Sequence, residues 1–315
     1  MRVAFDLRAA RHGTGIARYA TCLRGALSEL DGVEVEDTHV PRPGRADVYH
    51  SPWLEGAPLR PALPTVVTLH DVIPLKRPGE YLRTGLRFRM RYLAVQRAER
   101  VIVPTRAVAT EARSLLGLDE ARVVVVGEAA ADGFAPQPAA AIAAVRARFG
   151  LPERYLLAVG GLSTPDPRKR VTALTRVPRS LALVLVGEAG RWARELEGVI
   201  LTGRVSDPEL AALYSGAHAV VLPSDDEGFG LVPVEALACG APVVAADTPA
   251  VREVLADRAR LWPADDLTGL VAAAEAAQRP APAPLPVRWS DVAAATVAVY
   301  ADAIAAAAAG ARRPR

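Results

Sequence analysis

The sequence predicts an α/β fold built from two doubly wound parallel sheets. Short apolar runs rich in β-branched residues alternate with helical stretches along the chain, the order that gives parallel strands with right-handed crossovers. Most of these runs are continuously apolar, as in strands that are buried on both faces. The pattern restarts near residue 150, and a chain of 315 residues suits two domains.

The first half of the chain predicts six strands, at residues 3–6, 33–37, 48–50, 66–70, 100–103 and 123–126. The second of these strands reads VEVED and alternates apolar with acidic residues, which is typical of an edge strand with an exposed face. Helices fit between the strands, at about residues 15–30, 80–98, 105–115 and 138–149.

The second half predicts a new sheet, because the break AAADGFAPQPAAA and the turn GLP are followed by a fresh strand. The domains are therefore placed at residues 1–149 and 150–295. The predicted strands are 155–159, 181–186, 199–202, 219–222 and 242–245. The predicted helices are 191–196, 207–216, 231–239, 248–256 and 290–309. The terminal ARRPR is predicted to be disordered.

Composition favours a soluble protein, since 51% of the residues are apolar and 23% are charged. A net charge of +3 gives no reason to expect nucleic acid as a partner. The two cysteines are far apart in sequence and predict neither a disulfide framework nor a metal site. The N-terminal MRVAFDLRAA predicts a strand rather than a signal peptide. Because no apolar run approaches the ~20 residues of a membrane span, we expect a cytoplasmic protein.

Candidate ligand-binding residues follow the strands, because ligands of such sheets bind outside the carboxyl ends of the strands. Gly13 and Gly15 precede a helix whose N-terminus favours an anion. The third glycine of a dinucleotide fingerprint is replaced by Arg18, which disfavours NAD and leaves a simple tight turn as an equal alternative. His70 ends a buried strand, where it could bind a sugar hydroxyl, act as an acid or base, or bond structurally to a loop carbonyl.

A basic loop follows the first strand of the second domain, in the stretch GGLSTPDPRKR. Arg168 and Lys169 could hold a diphosphate through charge-assisted hydrogen bonds. The alternative is a solvated basic loop, which is what most runs of charge turn out to be.

A second loop-to-helix segment, SDDEGFGLVPVEALACG, carries two glutamates. Glu227 lies just ahead of the helix, and the amides around 228–231 point out of its start, where phosphate can bind. Glu235 lies about one turn inside, where its carboxylate could accept hydrogen bonds from two ribose hydroxyls. The alternative, that Glu227 merely complements the helix dipole, leaves the glycines unexplained.

A basic amphipathic helix is predicted over residues 82–100. Arg83, Arg87 and Arg91 form one stripe on it. Such a helix can lie on an anionic membrane, so peripheral contact with the inner face of a membrane is one expectation. A solvated arginine face is the other.

Taken together, these segments resemble the retaining GT-B-fold glycosyltransferases of family 4. The pattern E-x7-E joins Glu227 to Glu235 within PSDDEGFGLVPVEALACGAPVVA. The segments GTGIARY, HSPW, VVTLHDVIP, ERVIVPTRAV, PRKR, LTGRVSDPELAALYSGAHAVVLPS and RWSDVA follow in the family's order and extend the resemblance over nearly the whole chain. The most similar subgroup contains bacterial mannosyltransferases. The resemblance implies two Rossmann-like domains facing a cleft, with a C-terminal helix at about residues 296–310 that can pack back on the first domain.

The resemblance also implies a reaction and a set of site residues. A hexose, with mannose from GDP-mannose as the first expectation, would move from a nucleoside diphosphate sugar to an acceptor hydroxyl with retention, by a front-face route. The donor would sit on the second domain and the acceptor, a sugar, a lipid-linked sugar or a small molecule, on the first. The implied catalytic residues are His70, Lys169 and Glu227. The implied donor-binding residues are Gly15, Arg168, Lys169, Arg204, Val205, Glu227, Gly228, Phe229, Gly230, Leu231 and Glu235.

The resemblance implies no cofactor and no metal, because the cations and the helix N-terminus take the metal's place. Asp225 and Asp226 are accordingly not expected to form a metal site. Such enzymes build bacterial glycans, glycolipids or glycosylated natural products. A sugar-nucleotide epimerase, a phosphorylase on the same fold and a non-catalytic sugar-nucleotide-binding module remain alternatives.

This chain departs from the family in places. Its second domain is trimmed between strands 181–186 and 199–202. The stretch VVVGEAAADGF lacks the usual asparagine–glycine turn, and Pro104–Thr105 stands where valine–serine is common.

Overall fold

The structure, a computed structural model, describes residues 1–12, 15–81 and 85–311. Gly13, Leu82 and Arg83 lie outside the described residues, as do the last four residues of the terminal ARRPR. The chain forms two compact units. One comprises residues 1–129 together with the segment from residue 287 onward, and the other comprises residues 130–286.

A six-stranded, wholly parallel sheet forms the core of the first unit, with the order β2-β1-β3-β4-β5-β6. Its strands are β1 (Arg2–Phe5), β2 (Glu34–Asp37), β3 (Val48–Ser51), β4 (Thr65–Thr68), β5 (Arg100–Val103) and β6 (Val123–Val125). β3 and β4 are buried on both faces, whereas β2 lies at the edge and is largely exposed. The alternation of VEVED therefore identified the edge strand correctly.

Helices flank this sheet. They are α1 (Gly15–Ser28), α2 (Ile73–Lys76), α3 (Pro78–Tyr81), α4 (Gly85–Val95), α5 (Arg106–Leu116) and, at the C-terminus, α12 (Trp289–Ala311). α5 shows how local sequence sets a boundary. The Thr105 hydroxyl accepts a hydrogen bond from the Val108 amide, and Gly117 ends the helix in a left-handed conformation.

The last helix, α12, belongs to the first unit. Trp289, Val292 and Tyr300 are buried in one apolar cluster with residues of α1, β1 and β3. By length and composition alone, residues 289–309 of this helix could cross a bilayer, whereas the sequence analysis expected no apolar run that approaches such a length. Here one face of the helix packs on its own unit. The helix begins at Trp289, one residue before the predicted start at 290, and about two turns before the segment 296–310 that was expected to pack back on the first domain.

The second unit contains an equivalent parallel sheet, ordered β12-β11-β10-β7-β8-β9. Its strands are β7 (Tyr155–Val159), β8 (Ala182–Val186), β9 (Val199–Gly203), β10 (Ala219–Leu222), β11 (Val243–Ala246) and β12 (Arg260–Trp262). Its helices are α6 (Ala139–Phe149), α7 (Val171–Thr175), α8 (Asp207–Gly216), α9 (Leu231–Ala238), α10 (Pro249–Leu255) and α11 (Leu267–Glu275). Only β7, β8, β10 and β11 are strongly buried.

Three elements of this unit, α7, β12 and α11, were not predicted from the sequence. α7 has only five residues, too few to show a helical period. β12 has only three residues, and α11 is an alanine-rich helix with little polar contrast between its faces. Neither gives a clear periodic signal. The predicted helix at 191–196 forms only a short 3-10 turn, Trp192–Glu195.

The boundary between the units also differs from the predicted one, falling at 129/130 rather than near 150. α6 explains the difference, because its Val145 is buried in the core of the second unit together with Leu213 and Tyr214 of α8. The segment after residue 130 carries Phe134 into that same core. Packing, rather than the proline-rich composition, fixes the boundary.

Candidate active site

Two loops of the second unit meet because their strands are neighbours. β7 and β10 pair in parallel, with Leu156 opposite Ala219, so their carboxyl ends lie side by side. The loop after β7 carries the basic residues, and the loop after β10 carries Glu227. A backbone hydrogen bond from the Asp225 amide to the Arg168 carbonyl (3.1 Å) joins the two loops.

Glycines after β7 allow the basic loop to fold back on itself. Gly160 and Gly161 both have positive φ, +84° and +73°. A side chain on Gly161 would place its Cβ 3.1 Å from Cβ and Cγ of Lys169, so glycine is needed for the lysine stem to pass. The Asp166 carboxylate caps the short turn by accepting from the Arg168 amide at 3.3 Å.

Glu227 lies between the two cations. Its Oε1 accepts from Lys169 Nζ at 2.5 Å and its Oε2 from Arg168 Nη1 at 2.9 Å. The side chain is only 8% exposed. Burial alone would raise the pKa of Glu227, but the charges of Lys169 and Arg168 outweigh it and lower the pKa to about 2. The carboxylate is therefore ionised at any physiological pH and fixes both cations in place.

The helix that follows, α9, begins in a strained turn. Gly230 caps it at φ +92° and ψ +65°, a conformation that other residues adopt only with strain. Phe229 is buried in the core of the second unit, which anchors the turn. The first amides of α9, from Leu231 onward, have no partner within the helix itself and carry the positive end of its dipole. Residues 227–231 thus combine a carboxylate with a helix start.

The turn at Gly230 gives a stability prediction. Gly230→Ala is expected to lower the free energy of unfolding by about 1–3 kcal/mol, because φ is +92° and the new Cβ would lie 3.3 Å from Pro233 Cγ. Urea denaturation measures it. Gly133→Ala, in the same unit, adds a Cβ that meets nothing within 4 Å and should leave stability nearly unchanged. Equal losses of unfolding free energy in Gly230→Ala and Gly133→Ala would contradict the assignment of a strained conformation to Gly230.

Glu235 is buried in α9, at 3% exposure. The Tyr214 hydroxyl of α8 donates to its Oε2 at 3.3 Å. The position one turn inside the helix agrees with the sequence analysis, and the tyrosine is a neighbour that the sequence did not reveal. A carboxylate held in this way has a fixed orientation, as a group that recognises a diol requires.

In the first unit, the candidate residues lie at the end of β4 and the start of α1. α1 begins at Gly15, and Tyr19, one turn further, packs perpendicular to the His70 ring at 4.7 Å between centroids. His70 therefore lies beside the first turns of a 14-residue helix. This is the arrangement expected for residues that bind an anion.

Both ring nitrogens of His70 have partners in the protein. Nε2 donates to the Pro52 carbonyl at 2.9 Å, and Nδ1 lies 3.1 Å from Glu128 Oε1. The structural alternative of the sequence analysis, a histidine bonded to a loop carbonyl, is thus present. A sugar hydroxyl that bonds to Nε2 would have to replace the Pro52 carbonyl. Glu128, at 4% exposure, was missed, although it falls in the stretch VVVGEAAADGF that departs from the family pattern.

A buried hydrogen-bonded chain supports this site. It runs from Tyr300 to His50 Nδ1 (2.6 Å), from His50 Nε2 to Thr68 (2.9 Å), and from Thr68 to the Tyr19 hydroxyl (3.0 Å). Burial lowers the pKa of His50 to about 3, so this ring is neutral. These hydrogen bonds connect the C-terminal helix to β4, the strand that His70 follows.

A second buried group lies after β1. Asp6 is fully buried and binds Arg8 through two hydrogen bonds of 2.8 and 2.7 Å. It also accepts from Trp53 Nε1 at 3.1 Å. Burial would raise the pKa of Asp6, but the hydrogen bonds and charge of Arg8 lower it overall. Gly56 is required here, because a Cβ would lie 2.2 Å from the Asp6 carboxylate.

Comparison with known families agrees with this geometry. One family model, described as glycosyltransferase family 4, matches residues 39–128. Another, described as glycosyl transferases group 1, matches residues 153–279, which contain the cluster of Arg168, Lys169 and Glu227. Both families consist of glycosyltransferases, and the two matches together support a group 1 glycosyltransferase.

Curated relatives of this chain include the D-inositol 3-phosphate glycosyltransferases of Mycobacterium tuberculosis and Mycobacterium bovis. Each is 36% identical over 236 residues, an alignment that covers 66% of this chain and 48% of the relative. The chain thus spans about half the length of the curated relatives it matches.

Solved structures resemble this chain over almost its full length. HepE of Anabaena, in complex with UDP and glucose, gives a TM-score of 0.69 at 19% identity and covers 99% of this chain and 98% of its own. WaaG, a glycosyltransferase involved in lipopolysaccharide biosynthesis, gives 0.64 at 17% identity, covering 97% and 95%. These likenesses show the fold, and they confirm the predicted two-domain GT-B architecture.

Two further predicted residues of the candidate site lie away from the ion cluster. Arg204 and Val205 follow β9, which is the edge strand of the sheet and three strands from β10. Arg204 is exposed, and Val205 packs partly against the core of its unit. Their place beside a nucleotide base stays a prediction.

Proposed function

We propose that this chain is a retaining, metal-independent glycosyltransferase that moves a hexose from a nucleoside diphosphate sugar to an acceptor hydroxyl. The observation that carries the proposal is the cluster of Glu227, Lys169 and Arg168 beside the start of α9. Two fixed cations and a helix N-terminus can neutralise charge that develops on a departing diphosphate. The two cations and the helix N-terminus would thus neutralise the charge that a divalent metal ion neutralises in other enzymes that act on phosphates.

The remaining roles follow from position. The Glu227 carboxylate, ionised and fixed, is suited to accept hydrogen bonds from hydroxyls of the donor sugar. Glu235, one turn further along α9, is suited to hold the ribose. Gly15 would let the backbone at the start of α1 approach the diphosphate. The donor thus belongs to the second unit and the acceptor to the first, whose carboxyl-end loops carry Asp6, Arg8 and His70.

The relatives narrow the first substrates to test. The curated relatives are named for D-inositol 3-phosphate, and HepE was solved with UDP-glucose. We therefore propose UDP-glucose and GDP-mannose as the donors to test. The acceptors to test are a phosphorylated polyol, sugars and lipid-linked sugars. We propose a cytoplasmic location, with bacterial glycan, glycolipid or glycoside synthesis as the setting.

A thermal-shift screen with GDP-, UDP-, dTDP- and ADP-sugars tests donor binding, because a ligand of the folded state raises the apparent stability. Transfer to a panel of acceptors, with the anomeric proton coupling of the product read by NMR, then tests reaction and retention. Activity that survives chelation by EDTA supports metal independence. Interconversion of the donor without an acceptor would indicate an epimerase. Donor binding without transfer to any acceptor would indicate a non-catalytic binding module.

Glu235→Gln is expected to weaken donor binding by about 10–100-fold, since one hydrogen bond to a charged group is worth about 1.5–3 kcal/mol. Calorimetric titration with the free nucleoside diphosphate measures it. Glu253→Gln on α10 is the matched control and should bind like the parent. Unchanged affinity in the Glu235 variant would remove this residue from the ribose site.

Peripheral membrane contact through the predicted basic helix 82–100 is a separate proposal. The structure describes a shorter helix there, α4 (Gly85–Val95), and Arg100 already begins β5. In the described part of this segment, Met90 and Leu93 are exposed apolar side chains. Arg91 instead pairs with Glu55 at 2.6 Å, and Arg100 pairs with Asp302 at 2.8 Å. Co-sedimentation with vesicles containing anionic lipid tests the contact. Equal sedimentation of the parent and a Leu93→Ser variant would contradict it.

A further inference from the structure

The buried hydrogen bonds of His70 to Glu128 and to the Pro52 carbonyl indicate where the protons of this pair lie. A carbonyl oxygen can only accept, so the bond to Pro52 requires a proton on Nε2 of His70. One more proton lies between Nδ1 and Glu128 Oε1, which are 3.1 Å apart. An imidazole is ordinarily more basic than a carboxylate by about two pKa units, so this proton belongs to the ring. His70 is then an imidazolium and Glu128 a carboxylate.

The surroundings favour the same state. Burial lowers the pKa of His70, but the hydrogen bond and charge of Glu128 raise it more, with further help from the Pro52 carbonyl and from Asp71. Two other titratable groups face the ring. Tyr19 stays neutral because burial raises its pKa far above the physiological range. His50, on β3, stays neutral because burial lowers its pKa to about 3.

We infer that Glu128 is a positioning residue for the transfer reaction, one that holds His70 as a fixed imidazolium with both N–H groups engaged. This inference rests on the proposed function. His70 then contributes positive charge at the start of α1 rather than a mobile proton. The helix dipole and the imidazolium are both positive there, which suits the anionic substrate of such a transfer. No general acid or base is required of this histidine.

NMR of the ring nitrogens and carbons tests the pair without any substrate. The chain has five histidines, and the His70 signals are assigned by their loss in His70→Gln. At pH 7 the parent should show both nitrogens of His70 protonated and a titration midpoint above the ordinary 6.5. In Glu128→Gln the amide oxygen can still accept from Nδ1, but the charge is gone. The midpoint should fall by about one to two pH units.

Glu111→Gln is the matched control, because Glu111 pairs with Lys76 on α2, elsewhere in the unit. It should leave the His70 titration unchanged. A neutral His70 ring in the parent at pH 7 would overturn the inference by itself, even if Glu128→Gln failed to fold. An equal midpoint in the parent and Glu128→Gln would overturn it as well.

The pH profile of kcat/KM connects the pair to the reaction. His70 keeps its charge below its raised pKa and loses it as the pH rises through that value. The alkaline limb of activity should therefore move to lower pH in Glu128→Gln and stay in place in Glu111→Gln. If NMR shows that Glu128 raises the His70 midpoint but the alkaline limb of kcat/KM does not move in Glu128→Gln, the role of Glu128 in transfer is overturned. Absence of transfer by the parent with every donor would instead refute the proposed function, which NMR does not depend on.

Discussion

Replacing Glu227 by glutamine is expected to lower the turnover of sugar transfer by about 10²–10³-fold. The carboxylate holds Lys169 at 2.5 Å and Arg168 at 2.9 Å, and an amide of the same shape has no charge with which to do so. The two cations would then lose their fixed position relative to the leaving diphosphate. Initial rates at saturating donor measure kcat. Donor affinity should fall much less than turnover.

A matched control lies in the same unit. Glu195 pairs with Arg191 on the surface, where their side chains are 70% and 96% exposed, so Glu195→Gln should keep the parent rate.

The acid stability of the protein gives a second readout of the Glu227 ion cluster. Because the pKa of Glu227 is lowered from 4.5 to about 2, its contribution to stability is present above pH 4.5 and is lost as the pH falls toward 2. That part of the acid dependence should be missing in Glu227→Gln, and its persistence would contradict the ion cluster.

Lys169→Met should likewise lower kcat by about 10²–10³-fold, since it removes one of the charges that stabilise the departing diphosphate. Methionine keeps most of the apolar stem that passes Gly161, so the fold of the loop should survive. The loss should be smaller for a donor whose leaving group needs less stabilisation. Rates with donors of graded leaving-group acidity, measured on both proteins, test this.

Arg191→Met is the control for the lost positive charge, because Arg191 is almost fully exposed and distant in sequence from the site. It should transfer sugar at the parent rate. If Lys169→Met does so too, the lysine is a solvated residue of a basic loop and takes no part in the reaction.

The fold was largely predictable because buried parallel strands have a strong sequence signature. Eleven of the twelve strands were located from the sequence, most of them from continuous apolar runs and the edge strand from the alternating VEVED. β12 escaped because three residues give no period, and α11 because alanine does not distinguish a buried face from an exposed one. The unit boundary shifted because α6 packs against α8, which composition cannot show.

The candidate site was predictable where its residues lie close in sequence. Gly230 and Glu235 occur within one short motif, and the structure puts both in or at α9. Glu128 was not predictable in the same way. It follows β6, whereas His70 follows β4, and β5 lies between these two strands. A lone glutamate after a strand gives no signal of the histidine that it meets.

By itself, the sequence determined the alternation of strands and helices, the glycines that can adopt positive φ, and the supply of cations and carboxylates after the strands. These are local properties, fixed by side-chain size, charge and backbone freedom within a few residues. The tertiary structure alone decided that β7 and β10 are neighbours, so that Glu227 meets Lys169, and that the end of β6 brings Glu128 to His70. Strand order depends on how helices pack over the sheet, and that is settled by contacts between residues tens of positions apart.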